Sequence, residues 1–265
     1  MHLVAAFAHQ TRVVLTQVET VGKGHELAGV QAALAALPAH LLSGRVVTGD
    51  ALLANRSLCQ LIVQKGYYFI VLKANQPLTL EAVAFSFDDP LAPRTRVVVA
   101  GKRHGDREER RTLETATEVV AHLAQPEALD AEDGEAGTIG GWSALAQVCR
   151  IHREVEYVSG PQAGTARDEW AYALTSLPPA QADAARLEQL WRGHWQIENG
   201  LHYVRDVTLG EDACQVRSDR APANLAACRN TALNLLRLAG AINVAAAVRR
   251  HAMYPREALA LLGLH

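Results

Sequence analysis

His194, Glu198 and His202 follow one another at four-residue spacing in the stretch HWQIENGLHYVRDVTLGED, residues 194–212, and Arg205 lies three positions further on. Residues three and four apart share one face of an α-helix. At about 100° per residue, Trp191, His194, Glu198, His202 and Arg205 fit an arc of about 80°. Leu190, Ile197, Leu201 and Val204 fill the adjoining arc, so the polar stripe borders the face that meets the core. A carboxylate, two imidazoles and a guanidinium in that position form an array that can face a ligand. The plainer alternative is an amphipathic rim, in which His194–Glu198 and Glu198–His202 are i,i+4 pairs worth a few tenths of a kcal/mol. Two details weigh against it. Gly193 and Gly200 each cost about 1 kcal/mol relative to alanine inside a helix, which points to close approach by another group. Trp191 and Trp195 bracket the carboxylate, and an exposed indole calls for a reason.

A second carboxylate, Asp50, ends the apolar run RVVTGD. The carboxyl end of a sheet strand is where ligands meet open α/β sheets. TGD is also a good turn, so Asp50 alone is weak grounds for a site.

These residues need a scaffold. HLVAAFA (2–8) and RVVLTQVET (12–20) read as a hairpin. GHELAGVQAALAALP (24–38) is a helix pattern ended by proline. GRVVTGDALL (44–53) reads as a strand, NRSLCQLIVQKG (55–66) as a helix with glycine past its end, and YYFIVLKANQ (67–76) as a buried strand. Strands alternating with helices predict a mixed α/β sheet. Residues 94–119 alternate as β structure, DAEDGEAGTIGG (130–141) reads as an acidic loop, and AQVCRIHREVEYV and DEWAYALTSL read as paired strands. From Asp183 the pattern is helical: one helix over 183–207, a second over 221–240 with Pro222 in its first turn, and a third over 241–263.

The bulk numbers fit a globular domain. The chain has 265 residues, 49% of them apolar and 20% charged, with formal net charge −2. No run of about 18 apolar residues occurs, so nothing reads as a membrane span, and the first residues are too short and wrongly flanked for a signal peptide. Cys59, Cys149, Cys214 and Cys228 form no C-x-x-C pair and read as thiols of a reducing cytosol. Only four of the 26 basic residues are lysines. Arginines gather in KRHGDREERR (102–111), RSDR (217–220) and RRH (249–251), local patches able to meet phosphate although charge clusters are more often solvated surface.

VVTGDAL, YYFIVLKANQ, HGDREERR, HWQIENGLHYVRDVTLGED and NLAACRNTALNLLR together resemble, in the same order, the bacterial insertion-sequence transposases of the DDE class, most closely the ISAs-one family of the IS-four-like group. The resemblance covers nearly the whole chain. Those relatives carry Y-x2-R-x3-E-x6-K around the catalytic glutamate; here the spacing reads Trp191, His194, Glu198 and Arg205. Only the glutamate is retained; tryptophan keeps an aromatic ring, arginine keeps a positive charge, and histidine makes the charge pH-dependent near neutrality.

The resemblance implies an α/β fold: a ribonuclease-H-like mixed sheet with flanking helices, interrupted by a β-rich insertion, with a helical C-terminus. The expected division is 1–90 for the first part of the core, 91–180 for the insertion and 181–265 for the helical completion. It implies two Mg²⁺ ions, with Mn²⁺ able to substitute, on carboxylates that map to Asp50 and Glu198. Two ions about 3.5–4 Å apart stabilise charge on the attacking and leaving oxygens of an in-line displacement, and Mg²⁺ takes carboxylate oxygens, waters and substrate phosphates as ligands. Arg205 and His194 are expected near DNA phosphate with His202 beside them, and Trp191 or Trp195 on a base. Lys73, Asn75 and Gln76 match an L-K-x-N-Q segment and are expected at phosphate; a surface lysine before a turn is the alternative. His104, Arg107 and Arg111 are expected on DNA, because guanidinium matches phosphate geometry, against the alternative of a salt-bridged hairpin.

The family's first aspartate belongs in a D-G-K-like segment just before HLVAAF, and no aspartate precedes Asp50. The expected activity is therefore strand cleavage and transfer at insertion-sequence ends by the family, with these 265 residues inactive as they stand. The expected partners are double-stranded DNA, as element ends and target, and a second copy in a synaptic complex; no membrane is expected, and the location is the bacterial cytoplasm. A non-enzymatic remnant that at most binds DNA is the rival. A cellular ribonuclease-H-like nuclease or resolvase is weaker, since it explains neither the long β block nor HWQIENGLHYVRD.

Overall fold

The computed structural model describes residues 2–22, 24–101, 103, 105–129 and 137–264. In chain order the elements are β1 (His2–Ala8), β2 (Val13–Thr20), α1 (Glu26–Ala36), α2 (Ala39–Leu42), β3 (Val46–Gly49), α3 (Arg56–Val63), β4 (Tyr67–Leu72) and α4 (Pro77–Ser86). There follow β5 (Thr95–Ala100), β6 (Arg107–Ala116), α5 (Val120–Ala124), β7 (Glu127–Leu129), β8 (Gly137–Ile139), β9 (Gln147–Tyr157), β10 (Ala166–Thr175) and α6 (Ala184–His194). The helices α7 (Ala221–Leu238), α8 (Val244–Met253) and α9 (Pro255–Leu261) complete it. Two compact units result, Ala39–Arg192 and Met1–Pro38 with Gly193–His265.

In the unit Ala39–Arg192, six strands form a mixed sheet in the order β3-β4-β10-β9-β6-β5. Only β3 and β4 are parallel; a parallel pair needs a crossover, and α3 supplies it. The side chain of Asn55 caps α3 by accepting from Leu58 N–H at 3.2 Å. β4 is buried on both faces, with Tyr68, Phe69, Ile70 and Leu72 all excluded from solvent, which its unbroken apolar run foretells. One face of the sheet, through Phe69, Leu113, Cys149, Ile151 and Ala173, packs on Leu187, Leu190 and Trp191 of α6. Of the strands in the β-rich residues 95–175, β5, β6, β9 and β10 belong to this sheet, where β10 bonds directly to β4, and β7 pairs with β8 apart from it.

In the other unit, β1 and β2 form an antiparallel hairpin with a bulge at Ala6/Phe7. α1 lies against both strands, and Gly29 allows it, since a Cβ there would stand 2.4 Å from Thr20 Cγ2. α7 lies against β2. Asn234 on α7 accepts from Val14 N–H and donates to Val14 C=O, both at 2.8 Å, so an amide side chain does the work of a neighbouring strand. Val14, Leu201, Val204, Leu233, Leu236 and Val244 form this unit's core. The helix expected over 241–263 is two, α8 and α9, because Pro255 drives Tyr254 out of helical geometry, to φ −125° and ψ 74°.

The helix expected over 183–207 is also corrected. α6 ends at His194, and two π-helical segments follow, Glu198–His202 and Val204–Thr208. Tyr203 N–H donates to Glu198 C=O and Leu209 N–H to Val204 C=O, each five residues back. The wider turn breaks the 100° step on which the five-residue stripe rests.

Candidate active site

Asp50 follows the last residue of β3, at the sheet's carboxyl end. Gly49 is buried there, and a Cβ on it would stand 3.0 Å from Leu53, because the chain folds straight into a short 3₁₀ turn at Ala51–Leu53. The carboxylate of Asp50 does not cap that turn. It is exposed, and no hydrogen bond or ion pair engages it among the described residues. Ordinary turn chemistry therefore leaves this side chain unused.

The loop after β4 lies beside it, since the two strands are parallel neighbours with Gly49 opposite Ile70. Lys73 is exposed. Asn75 donates to Ala51 C=O at 2.6 Å and Gln76 to Ala54 C=O at 3.0 Å. Gln76 also accepts from Arg56 at 3.2 Å, whose guanidinium lies over the Trp142 ring at 4.9 Å. Asn75 and Gln76 thus spend their amides fixing the Asp50 loop, which leaves Lys73 as the cation of that segment.

Around Glu198 the array splits by burial. Glu198 is exposed, and its carboxylate takes no hydrogen bond or ion pair among the described residues. Trp195 is 60% exposed. His194 and His202 are half-buried. Arg205 is buried and grips Glu211 through two bonds, Nε to Oε2 at 2.7 Å and Nη2 to Oε1 at 2.5 Å. Trp191 is 7% exposed and meets Phe69 edge-on at 5.7 Å in the core of the sheet unit. A guanidinium held in a bidentate ion pair and an indole packed in a core are not presented to DNA, so the roles expected for Arg205 and Trp191 do not match their surroundings.

Arg111 departs from expectation in the same way. It bonds Glu188 at 2.9 Å and Glu109 at 2.8 Å, and Glu109 bonds Arg153 at 3.0 Å. With Arg150–Glu114 at 2.7 Å, Arg110–Glu154 at 3.8 Å and Arg153–Glu169 at 3.1 Å, the strands β6, β9 and β10 form a charge-paired ladder. The ion pairs of Arg111 and Glu109 lie within β6 and join it to β9 and α6, so Arg111 is already engaged by carboxylates. Arg107, half-buried, has no such partner among them, and His104 lies outside the described residues.

Three residues that sequence reasoning missed approach the Glu198 segment. His9 Nδ1 stands 3.0 Å from where a Cβ on Gly193 would be, and Nη2 of Arg12 and of Arg237 stand 3.7 and 3.8 Å from the Cβ position of Gly200. His9 and Arg12 lie in the turn between β1 and β2. The two glycines were the available signal: they mark close approach without saying by what. Burial, and then His194, hold the His9 imidazole below its ordinary value.

The model of a family described as transposase DDE domain matches residues 1–235. The chain belongs to that family. It is 27% identical over 248 residues to "Putative transposase YncI" of Escherichia coli O157:H7, a match covering 89% of this chain and 56% of that protein. Over 242 residues it is 25% identical to "Putative protein YbfL" and to "H repeat-associated putative transposase YhhI", both of Escherichia coli (strain K12), covering 89% of this chain and 58% of each. The chain spans a little over half the length of these relatives. The DDE domain's mixed α/β architecture, with a six-stranded mixed sheet, flanking helices and a helical C-terminus, agrees with that membership. No helix among the described residues is long and apolar enough to cross a membrane.

DDE transposase domains generally use divalent metal ions. Among the described residues of this one, no three His, Cys, Asp or Glu side chains converge as a metal-binding group. Asp50 and Glu198 nonetheless have the right donor chemistry, being exposed carboxylates with hard oxygen atoms left free.

Proposed function

We propose that this DDE domain carries the phosphoryl-transfer chemistry of DNA transposition on a ribonuclease-H-like core, with Asp50 and Glu198 each a carboxylate ligand of divalent metal. The observation that supports it most is that both carboxylates are exposed and uncommitted among the described residues, in a chain belonging to the transposase DDE family. Two Mg²⁺ ions, or Mn²⁺ in their place, would supply stabilisation of charge on the attacking and leaving oxygens. The residues themselves divide the remaining work. Asn75 and Gln76 hold the Asp50 loop in place. Lys73, exposed beside that loop, meets a phosphate of the bound strand. His194 and His202, four residues either side of Glu198, meet phosphate, and Trp195 offers a ring face to a base. Arg107 adds a contact from β6. The DNA is the double-stranded end of an insertion sequence and its target, engaged by two copies of the chain.

Three carboxylates share two ions in this chemistry, and Asp50 is the first aspartate among the 265 residues. Losing about 4 kcal/mol of transition-state stabilisation slows a reaction about a thousandfold, so these residues acting alone cleave weakly. The test uses a labelled element-end duplex with Mg²⁺ or Mn²⁺ and compares the chain with Asp50→Asn and Glu198→Gln. Slow, metal-dependent nicking that either substitution abolishes supports the proposal. Nicking that survives both removes it. DNA binding with no nicking under any condition favours a remnant that only binds.

A further inference from the structure

The turn between β1 and β2 carries an arginine that no carboxylate pairs with among the described residues. Arg12 sits in the left-handed region at φ 58°, which costs a side-chain-bearing residue conformational energy that glycine would not pay. Strained backbone of this kind collects at ligand clamps. The turn is locked: Arg12 N–H donates to Ala8 C=O at 2.7 Å, and Arg12 C=O accepts from Arg237. Arg237 also donates to Gly200 C=O and lies over the Phe7 ring at 5.6 Å. The Arg12 and Arg237 guanidinium groups thereby point at one bare backbone position, each Nη2 within 4 Å of where a Gly200 side chain would begin. Neither arginine forms an ion pair among the described residues, and the Arg12 side chain makes no hydrogen bond there. Burial, and then the nearness of Arg12, bring the Arg237 guanidinium down to about 10. Two like charges drawn together beside a carboxylate-bearing segment call for an anion.

We propose that Arg12 binds a backbone phosphate of DNA beside the Glu198 segment, with Arg237 as the positioning residue that fixes the turn. Arg237 has its donors on two carbonyls, whereas Arg12 retains its planar fork, the geometry that grips phosphate. His9, in the same turn, stands beside Gly193 rather than Gly200, and burial and then His194 hold its imidazole below the ordinary value, so the cations at Gly200 are the two arginines. The inference rests on the DNA reading above and adds to it a contact on the hairpin turn.

The experiment is fluorescence anisotropy of a labelled duplex of about 30 base pairs against the 265-residue chain, across a salt series, with thermal unfolding in parallel. Each phosphate contact contributes about 0.9 to the slope of log K against log salt. Arg12→Gly and Arg12→Gln are expected to flatten that slope by about 0.9 and to weaken binding roughly eightfold at 0.1 M salt. Arg12→Lys is expected to keep the slope. Arg12→Gly is also expected to raise the melting temperature, because glycine suits the left-handed turn, so weaker binding cannot be ascribed to misfolding. A purely structural Arg12 would give the raised melting temperature with binding and slope unchanged, and that result overturns the proposal. If the unaltered chain fails to bind the duplex at any salt, the DNA reading fails and this inference with it. Normal binding by the unaltered chain and by Arg12→Gln removes the inference alone.

Discussion

Removing Glu211 while keeping Arg205 should strand a buried guanidinium. The Arg205 side chain is 6% exposed and that of Glu211 19%, and the two form a bidentate pair at 2.7 and 2.5 Å. Breaking a buried ion pair by deleting one partner costs about 3–5 kcal/mol, most of it the uncompensated charge left behind. Glu211 keeps some contact with water, which places Glu211→Ala near the lower end, about 3 kcal/mol. For a protein of this size each kcal/mol lowers the melting temperature by about 2–4 °C, so the variant should melt roughly 10 °C lower. Replacing both partners by methionine removes the charge together with its partner and should recover most of the loss, to within about 1–2 kcal/mol of the parent. Thermal unfolding of the parent, Glu211→Ala, Glu211→Met, Arg205→Met and the double methionine variant makes the comparison, the last three with the parent closing a cycle. A Glu211→Ala melting temperature within 1–2 °C of the parent would refute the reasoning and return Arg205 to the candidates for a DNA contact.

The other expectations are narrower. A Cβ on Gly66 would stand 2.5 and 2.6 Å from the Leu42 and Arg45 carbonyl oxygens, whereas one on Gly200 meets nothing closer than Phe7 at 3.4 Å. Gly66→Ala should therefore destabilise by more than about 2 kcal/mol and Gly200→Ala by less than about 1, read by denaturant melts. Burial raises the Glu109 carboxyl, but the bonds and charges of Arg153 and Arg111 outweigh it and hold it below the usual range. Its contribution is then present above the unfolded value of about 4.3 and lost as pH falls through the lower folded value; the melting deficit of Glu109→Gln should shrink between pH 7 and pH 3. Hydrogen bonds from Val216 and Arg229 hold the partly exposed Cys214 thiol low, while burial pushes Cys59 up to about 12 and raises Cys149 as well. Iodoacetamide should label Cys214 readily in the native chain and leave Cys59 and Cys149 unlabelled until denaturation.

The strands were legible because their signals are local. The apolar runs at 46–49 and 67–72 put Asp50 and Lys73 at strand ends, where the structure has them. The hairpin of β1 and β2 and the helix α7 were equally plain. What escaped needed long-range knowledge. The π-helical turns at 198–208 keep Ile197, Leu201 and Val204 inward, so apolar spacing alone reads as an α-helix. Arg205 finds Glu211 six residues on, a spacing that no helix face provides, and Arg111 finds Glu188 from 77 positions away. Both arginines looked free because their partners were distant. Alternation gave the strands of the β block at 94–177 but not their neighbours, such as the pairing of β10 with β4 through Tyr172 opposite Leu72. Arg12 gave no sequence signal, because a left-handed turn residue is usually glycine or asparagine.

Metal binding by the chain, measured by Mn²⁺ titration with electron paramagnetic resonance, tests the central claim most directly. The parent, Asp50→Asn, Glu198→Gln and the double variant are compared at one pH and ionic strength. Loss of a group that merely orients a metal ligand costs 10–100-fold in affinity, so loss of a ligating carboxylate should cost at least about tenfold. If Asp50 and Glu198 are metal ligands, each single substitution produces that loss. Unchanged affinity in either single variant would contradict that residue's role as a ligand.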